Sequence, residues 1–188
     1  MTSDVTSEVV PEPESIAGPA RPGEPARVLL TGDINSDLAA QVALQLMEHD
    51  AHSDDEIELI IRSDQGTVAA ALAVMDTIDA MGVPVSGIAL GQVDGPALGV
   101  LSVCHTRGAS AHSRLQLVAP AMAAHGTAES LADQLRIASS DLERFVARVA
   151  KATGQPQEKI EIDLRQGRHF DPEEAIAYRL IDRIWTRR

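Results

Sequence analysis

The sequence has little of several residue types that mark common protein classes. It contains a single cysteine, Cys104, which excludes an internal disulfide and a cysteine metal centre and fits a reducing compartment. Aromatic residues make up 2% of the chain, so the core must be mainly aliphatic. No apolar run is long enough for a membrane-spanning helix, and no apolar stretch follows a basic N-terminal segment as in a secretory signal. We therefore expect a cytoplasmic protein without membrane attachment.

Basic residues are also scarce, with 16 Lys and Arg against 28 Asp and Glu and a net charge of −12. Nucleic acids and anionic lipids need clustered cations, so we expect neither as a partner. The candidate metal ligands His49, Asp50, His52, Asp54 and Asp55 lie close together. They show no paired spacing on a rigid element, so we interpret them as a solvated loop and expect no metal or cofactor.

Composition divides the chain into a tail and one domain. Residues 1–26 are rich in Pro, Glu, Ser, Gly and Ala, which predicts a disordered acidic tail. Residues 27–188 are long enough for one sizeable core. Strand and helix patterns alternate in this part, which predicts an α/β fold with a parallel sheet and helices on both sides.

The predicted elements follow from apolar periodicity and from turn residues. The predicted strands are residues 27–30, 57–61, 83–90, 111–118 and 180–185, and the predicted helices are residues 36–47, 68–81, 96–103, 127–152 and 172–178. The helix at 127–152 carries apolar residues on more than one face, including Leu131, Leu135, Leu142 and Phe145. Because a single sheet covers only one face, we expect the surplus to pair with another chain.

The turn Ala-Leu-Gly-Gln-Val-Asp-Gly-Pro-Ala at 89–97 follows a predicted strand and opens a predicted helix. Hydrolytic α/β folds often carry a nucleophile at such a turn. Here the apex is Gly95, which has no side chain for attack, followed by Pro96, which has no backbone N–H to stabilise an oxyanion. The turn therefore has the position of a nucleophile site without its chemistry.

Residues 57–66 read I-E-L-I-I-R-S-D-Q-G, and residues 73–77 read A-V-M-D-T. Further informative segments lie at 28–32, 89–91, 153–155, 160–163 and 170–182. In order and spacing these segments resemble the proteolytic subunit of the Clp protease, ClpP, whose patterns for the first two are I-x-L-x-I-N-S-P-G-G and I-Y-D-T-M. The resemblance covers residues 27–188. It implies a ClpP/crotonase-like α/β fold of repeated ββα (βαβ) units, with residues 127–152 as a protruding handle helix.

ClpP-like peptidases use a Ser-His-Asp triad, in which a base activates the serine and a carboxylate orients the base. The resemblance places Gly95 at the serine position, Val118 at the histidine position and Asp163 at the aspartate position. It also places the oxyanion-hole donors at Gly66, which keeps its N–H, and at Pro96, which lacks one. No catalytic position except the orienting carboxylate is intact.

Several other side chains are candidates to replace the missing nucleophile and base. Ser86, Ser102 and Cys104 lie in apolar segments where packing or a local hydrogen bond explains them. His112 lies in a stretch similar to the family segment upstream of the catalytic histidine, and we expect no chemical role for it, whereas His125 fits a solvated or interface position. Asp94, beside the apex, has the chemistry of a general base, although an aspartate in a turn usually caps the next helix.

The resemblance thus implies a non-catalytic ClpP-like subunit in a ring assembly, as a homo-oligomer or mixed with active ClpP subunits. In the family, aromatic residues on the strand that corresponds to residues 57–61 help to line an apolar dock for the AAA+ unfoldase. Glu58 and Ile60 occupy the relevant positions here, so we expect weak or no unfoldase binding. The alternatives are an active Clp serine peptidase subunit with an unrecognised nucleophile, and a crotonase-like acyl-CoA enzyme that needs oxyanion N–H groups but no serine.

Overall fold

The computed structural model describes residues 25–120 and 126–186. Within these ranges the elements are, in order, β1 (Ala26–Ile34), α1 (Ser36–His52), β2 (Ile57–Gly66), α2 (Val68–Ala80), β3 (Val85–Asp94), α3 (Gly95–Val103), β4 (Thr106–Ser110), β5 (Arg114–Leu117), α4 (Ala128–Thr153), α5 (Gln157–Gln166), β6 (Arg168–Phe170), α6 (Pro172–Tyr178) and β7 (Arg183–Trp185). The predicted mixed α/β fold is confirmed. Most of the predicted tail, residues 1–24, lies outside the described residues. Strand β1 begins at Ala26, which was predicted to be the last residue of the tail.

The described strands form one sheet in the order β1-β2-β3-β4-β7, and the neighbours along this path are parallel. Helices α1, α2 and α3 connect β1 to β4, because parallel neighbours need a crossover connection. The sheet divides at β3, whose first half pairs with β4 and whose last residues, Gln92 to Asp94, pair with β5. β6 runs antiparallel to β5, which departs from the all-parallel sheet that the sequence predicted.

The handle helix α4 has a buried half and an exposed half. Its C-terminal half packs on the domain, and Phe145 and Val149 are 1% and 0% exposed. A Cβ atom added to Gly99 of α3 would overlap the Phe145 ring, so the two helices touch closely. Farther towards the N-terminus, Leu135 and Ile137 are 52% and 56% exposed. The predicted surplus is therefore wrong for Phe145, which belongs to the core, and for Leu142, which packs against it.

Several predicted boundaries are also wrong. The helix expected to end at Met47 continues to His52, because Asp50 accepts hydrogen bonds from the backbone N–H groups of Gly82 and Val83. The strand predicted at 111–118 is shorter, because residues 111–113 belong to a turn in which the Ser113 N–H donates to the Ser110 carbonyl, and β5 covers only Arg114–Leu117. Strand β4, which precedes this turn, was not predicted. Strand β3 extends beyond residue 90 to Asp94, and α5 and β6 were not predicted as elements.

Candidate functional site

The turn between β3 and α3 is shaped around Gly95. Its φ of +46° lies in the left-handed region that favours glycine. A Cβ atom added there would lie 2.9 Å from the carbonyl oxygen of Val118 and 3.6 Å from its Cγ1 atom. The structure thus brings Gly95 and Val118 into direct contact, although 22 intervening residues separate them along the chain. Neither residue offers a nucleophile or a titratable group at this contact.

Asp163 lies on α5, which is attached to the same region. The backbone N–H of Ala119 donates to the carbonyl of Leu164 over 3.2 Å, so the residues that follow Val118 and Asp163 are hydrogen-bonded. The three positions selected from the sequence therefore belong to one neighbourhood. It is formed where β3, β5 and α5 meet.

The Asp163 carboxylate is buried and engaged by three donors. Its Oδ2 atom accepts from the Tyr178 hydroxyl at 2.5 Å, the Lys159 Nζ at 2.9 Å and an Arg168 nitrogen at 3.3 Å. Burial alone raises the pKa of this carboxyl, but the hydrogen bonds from Tyr178 and Lys159 outweigh it, so the pKa is lowered. Asp163 is therefore an ionised anchor that joins α5, β6 and α6.

The partners of Asp163 also contact one another. Lys159 Nζ lies 4.1 Å from the centre of the Tyr178 ring, and the Phe170 and Tyr178 rings meet edge to face at 4.8 Å. Burial and the neighbouring Asp163 carboxylate raise the pKa of Tyr178, so its hydroxyl remains a proton donor. Sequence analysis missed Lys159, Arg168 and Tyr178. The spacing of Lys159 and Asp163, one helical turn apart, was the available signal for the first of them.

Of the predicted oxyanion-hole positions, Gly66 is the last residue of β2 and Pro96 is the second residue of α3, just after β3. Gly66 has a φ of +149°, and a Cβ atom there would lie 2.6 Å from the Cβ of Ile34 on β1. This position therefore requires glycine for steric reasons alone. Pro96 is buried in the first turn of α3, where the proline ring suits the helix start and supplies no N–H donor.

Asp94 occupies the N-cap position of α3, but its side chain makes no cap hydrogen bond, so the expected capping role is wrong. The carboxylate instead accepts from the Gln92 side chain at 2.5 Å, because Gln92 points to the same side of β3. Burial is the largest cause of the raised pKa of Asp94, and the nearby Asp64 carboxylate adds to it. Across the sheet, Asp94 pairs with Gln116, which pairs with His169.

The alternative nucleophiles are occupied or inaccessible. The Ser102 hydroxyl donates to the Gly99 carbonyl at 2.7 Å inside α3. Ser86 bonds to Glu56 at 2.5 Å and also to Thr106. Cys104 is buried, and this burial raises the pKa of its thiol to about 12. None of the three side chains has the accessible, activated geometry of a nucleophile.

The remaining polar candidates lie apart from this neighbourhood. His112 is exposed in the turn between β4 and β5, and His125 lies outside the described residues. His49 and His52 belong to the last turns of α1, and the His52 Nδ1 atom bonds to the Glu48 carbonyl. Within residues 25–120 and 126–186, no group of three or more His, Cys, Asp or Glu side chains is arranged to hold a metal ion.

Glu58, the residue expected from the sequence to weaken unfoldase binding, lies on the outer face of β2. Its carboxylate accepts from the Arg27 Nε of β1 at 2.8 Å, so the charge is paired across the two strands. Ile60 is partly buried on the same strand. An apolar partner at this surface would have to bury or displace the Arg27–Glu58 pair.

The fold and the site together define an α/β protein whose candidate site lies at the carboxyl end of a parallel strand, a usual position for sites in such sheets. In the part of the chain that the structure describes, no helix is both long and apolar enough to span a membrane. The family model described as Clp protease matches residues 23–188. The chain belongs to the Clp protease family, and the resemblance found in the sequence is confirmed.

Proposed function

We propose that this protein is a non-catalytic ClpP-like subunit with a structural or regulatory role in a Clp-type ring. The observation that carries the proposal is the contact between Gly95 and Val118. In the alignment with ClpP these residues stand at the serine and histidine positions, and their proximity supports that assignment. A Ser-His-Asp mechanism has no nucleophile and no base there.

Two further observations support the loss of catalysis. Pro96 withholds one donor from an oxyanion, and the loss of one such donor typically lowers the rate about 10²–10³-fold. Asp163, at the position of the orienting carboxylate, already accepts hydrogen bonds from Tyr178, Lys159 and Arg168. The alternative of an active peptidase finds little support, because Ser102 and Cys104 are buried and hydrogen-bonded.

The assembly part of the proposal rests on the exposed half of α4. ClpP family members typically form oligomeric rings. Leu135 and Ile137 present apolar surface on a helix whose other half is fixed in the core. A two-fold contact with the same helix of a second subunit, identical or catalytically active, would cover them.

Catalysis is tested by incubating the protein with a fluorophosphonate probe and with fluorogenic peptides. We expect neither labelling nor turnover, with an active ClpP as the positive control. Turnover that disappears in Asp163→Ala would show that a functional triad exists and would overturn the proposal.

Assembly is tested by native mass spectrometry of the protein alone and mixed with an active ClpP. We expect an oligomer, which Leu135→Glu splits into single rings or monomers because a buried carboxylate in an apolar contact is costly. Leu44→Glu is the matched control, since it introduces the same charge at a leucine of α1 that is 68% exposed and lies outside α4. A monomeric wild-type protein in both samples would refute this part.

A further inference from the structure

A cleft of about 420 Å³ lies where the carboxyl ends of α4 and α6 meet the first residues of β4. Its lining includes Lys151 near the end of α4, Arg179 just after α6, and Arg107 of β4. The candidate site lies at the other end of the strands, where β3 leads into α3. The cleft is therefore a separate feature of the surface.

The charged side chains that line this cleft do not balance. Arg107 donates to both carboxylate oxygens of Asp182, from Nη2 at 2.5 Å and from Nε at 3.1 Å, so these two charges neutralise each other. Within residues 25–120 and 126–186, the side chains of Lys151 and Arg179 have no hydrogen bond or ion pair. The cleft thus carries two uncompensated positive charges in a chain whose net charge is −12.

Arg179 adopts a backbone conformation that favours glycine. Its φ of 67° is the only left-handed φ of a residue other than glycine in the part of the chain that the structure describes. Its guanidinium lies beside Gly154, where an added Cβ atom would be 3.4 Å from Arg179 Nη1. Cations near helix ends complement the helix dipoles, which explains why each charge is there. Because both Lys151 and Arg179 line one cleft, an anion in the cleft would pair with both of them.

An acidic segment of the chain matches this lining. Residues 8–14, which lie outside the described residues, read Glu-Val-Val-Pro-Glu-Pro-Glu and so carry three carboxylates beside two valines. The cleft offers two cations and the side chain of Ile176, which is 38% exposed. Segments with little apolar surface do not fold alone, but they can become ordered when they bind a complementary surface.

The cleft is within reach of this segment in the same molecule. Ala26, the first residue of β1, aligns with Ile57 and Val85 at the starts of β2 and β3, and the next residue of β3 aligns with Thr106 of β4. The starts of β1 and β4 are therefore about 14 Å apart, at three strand spacings. The chain from Glu14 to Ala26 can extend about 40 Å, well beyond this separation.

We propose that residues 8–14 bind in this cleft of their own chain, with carboxylates on Lys151 and Arg179 and the valines against Ile176. Opposite charge selects the segment, since residues 1–24 contain five acidic residues and one basic residue. Exposed ion pairs are individually weak and are screened by salt, so the contact should weaken at high ionic strength. The inference goes beyond the proposed function, because it requires neither a ring nor the loss of catalysis.

The test uses a carbodiimide, which joins a carboxylate to an amine when the two lie within ion-pair distance. Lys151 and Lys159 are the only lysines of the chain. Lys159 is the internal comparison, since its side chain is 39% exposed and already pairs with Asp163. After reaction of the full chain at low salt and proteolytic digestion, we expect mass spectrometry to find residues 8–14 joined to Lys151 and not to Lys159.

Arg179→Gln removes one cation of the cleft and keeps both Lys151 and the acidic segment. It should lower the yield of the Lys151 link about two- to fivefold, as for the loss of one exposed ion pair. Arg165→Gln is the matched control, because it removes an exposed arginine near the end of α5, outside the cleft, and should leave the yield unchanged. In wild type, raising the salt to about 1 M should also lower the yield, which keeps the inference testable if Arg179→Gln does not fold.

Links to Lys151 and Lys159 in equal yield, or no link at Lys151, would overturn the inference. A yield that salt leaves unchanged, or that Arg179→Gln and Arg165→Gln lower equally, would overturn it as well. A mixture of ¹⁵N-labelled and unlabelled protein tests whether the segment binds its own chain, and we expect each link to join peptides of one isotope. Links between labelled and unlabelled peptides would show that the segment binds a second copy, and the assignment to its own chain would be wrong.

Discussion

Rebuilding a triad at the turn between β3 and α3 gives a stepwise test of the proposed loss of catalysis. The double variant Gly95→Ser with Val118→His supplies a nucleophile and a base at two positions that already touch. The triple variant adds Pro96→Ala, which restores a backbone N–H at the start of α3 with little added bulk. Both variants keep Asp163, so any difference between them reports on the oxyanion donor.

The structure predicts that the serine is costly to install. Gly95 has a φ of +46°, where a non-glycine residue loses about 1–2 kcal/mol. Its Cβ would also lie 2.9 Å from the Val118 carbonyl oxygen, so the backbone must shift. We therefore expect the free energy of unfolding to fall by at least about 1 kcal/mol. Gly95→Ala is the control, since it carries the same backbone cost without a nucleophile.

The triple variant should hydrolyse a fluorogenic peptide about 10²–10³-fold faster than the double variant, because one oxyanion donor is worth that factor. Both rates should stay below that of an active ClpP, because the Asp163 carboxylate is held by Tyr178, Lys159 and Arg168. Fluorophosphonate labelling identifies the introduced serine as the reacting group, and the Gly95→Ala protein should remain unlabelled. If the double and triple variants hydrolyse the peptide at the same rate, the reasoning from Pro96 is refuted.

Two further predictions concern buried titratable groups. The lowered pKa of Asp163 stabilises the fold above the ordinary carboxyl pKa, and this contribution is lost as pH falls through the lowered value. Tyr178→Phe removes one donor, so urea unfolding should show a loss of about 1.5–3 kcal/mol near neutral pH. The further loss of stability on acidification should be smaller than in wild type and complete at a higher pH, and an unchanged pH dependence would contradict this. Cys104 has a pKa raised by burial to about 12, so iodoacetamide at pH 8 should label it only after unfolding. Rapid labelling of the native protein would contradict the buried position.

The fold was largely predictable because the alternation of apolar strands with helical segments is a local pattern. Boundaries failed where a distant contact decides the outcome. Asp50 extends α1 by holding Gly82 and Val83, which are far along the chain. Phe145 looked like surplus on a helix face until the adjacent Gly99 provided space for its ring.

The sequence selected the positions of the candidate site, and these stay a prediction, but it could not show how their side chains interact. The order of residues in the turn pointed to Gly95 and Pro96, and the structure places Gly95 against Val118. Sequence spacing could not show that Tyr178 reaches Asp163, because that contact depends on how α6 packs on α5. It also could not show that Asp94 turns towards Gln92 and leaves its helix uncapped.

The division of α4 into a buried half and an exposed half separates the requirements of folding from those of partner choice. Phe145 and Val149 hold the helix to the sheet domain, whereas Leu135 and Ile137 contribute little to that core. If the proposed contact between subunits forms, substitutions in the exposed half would alter which chain the helix pairs with while the free energy of folding stays nearly constant. The domain core would not need to be rebuilt for such a change.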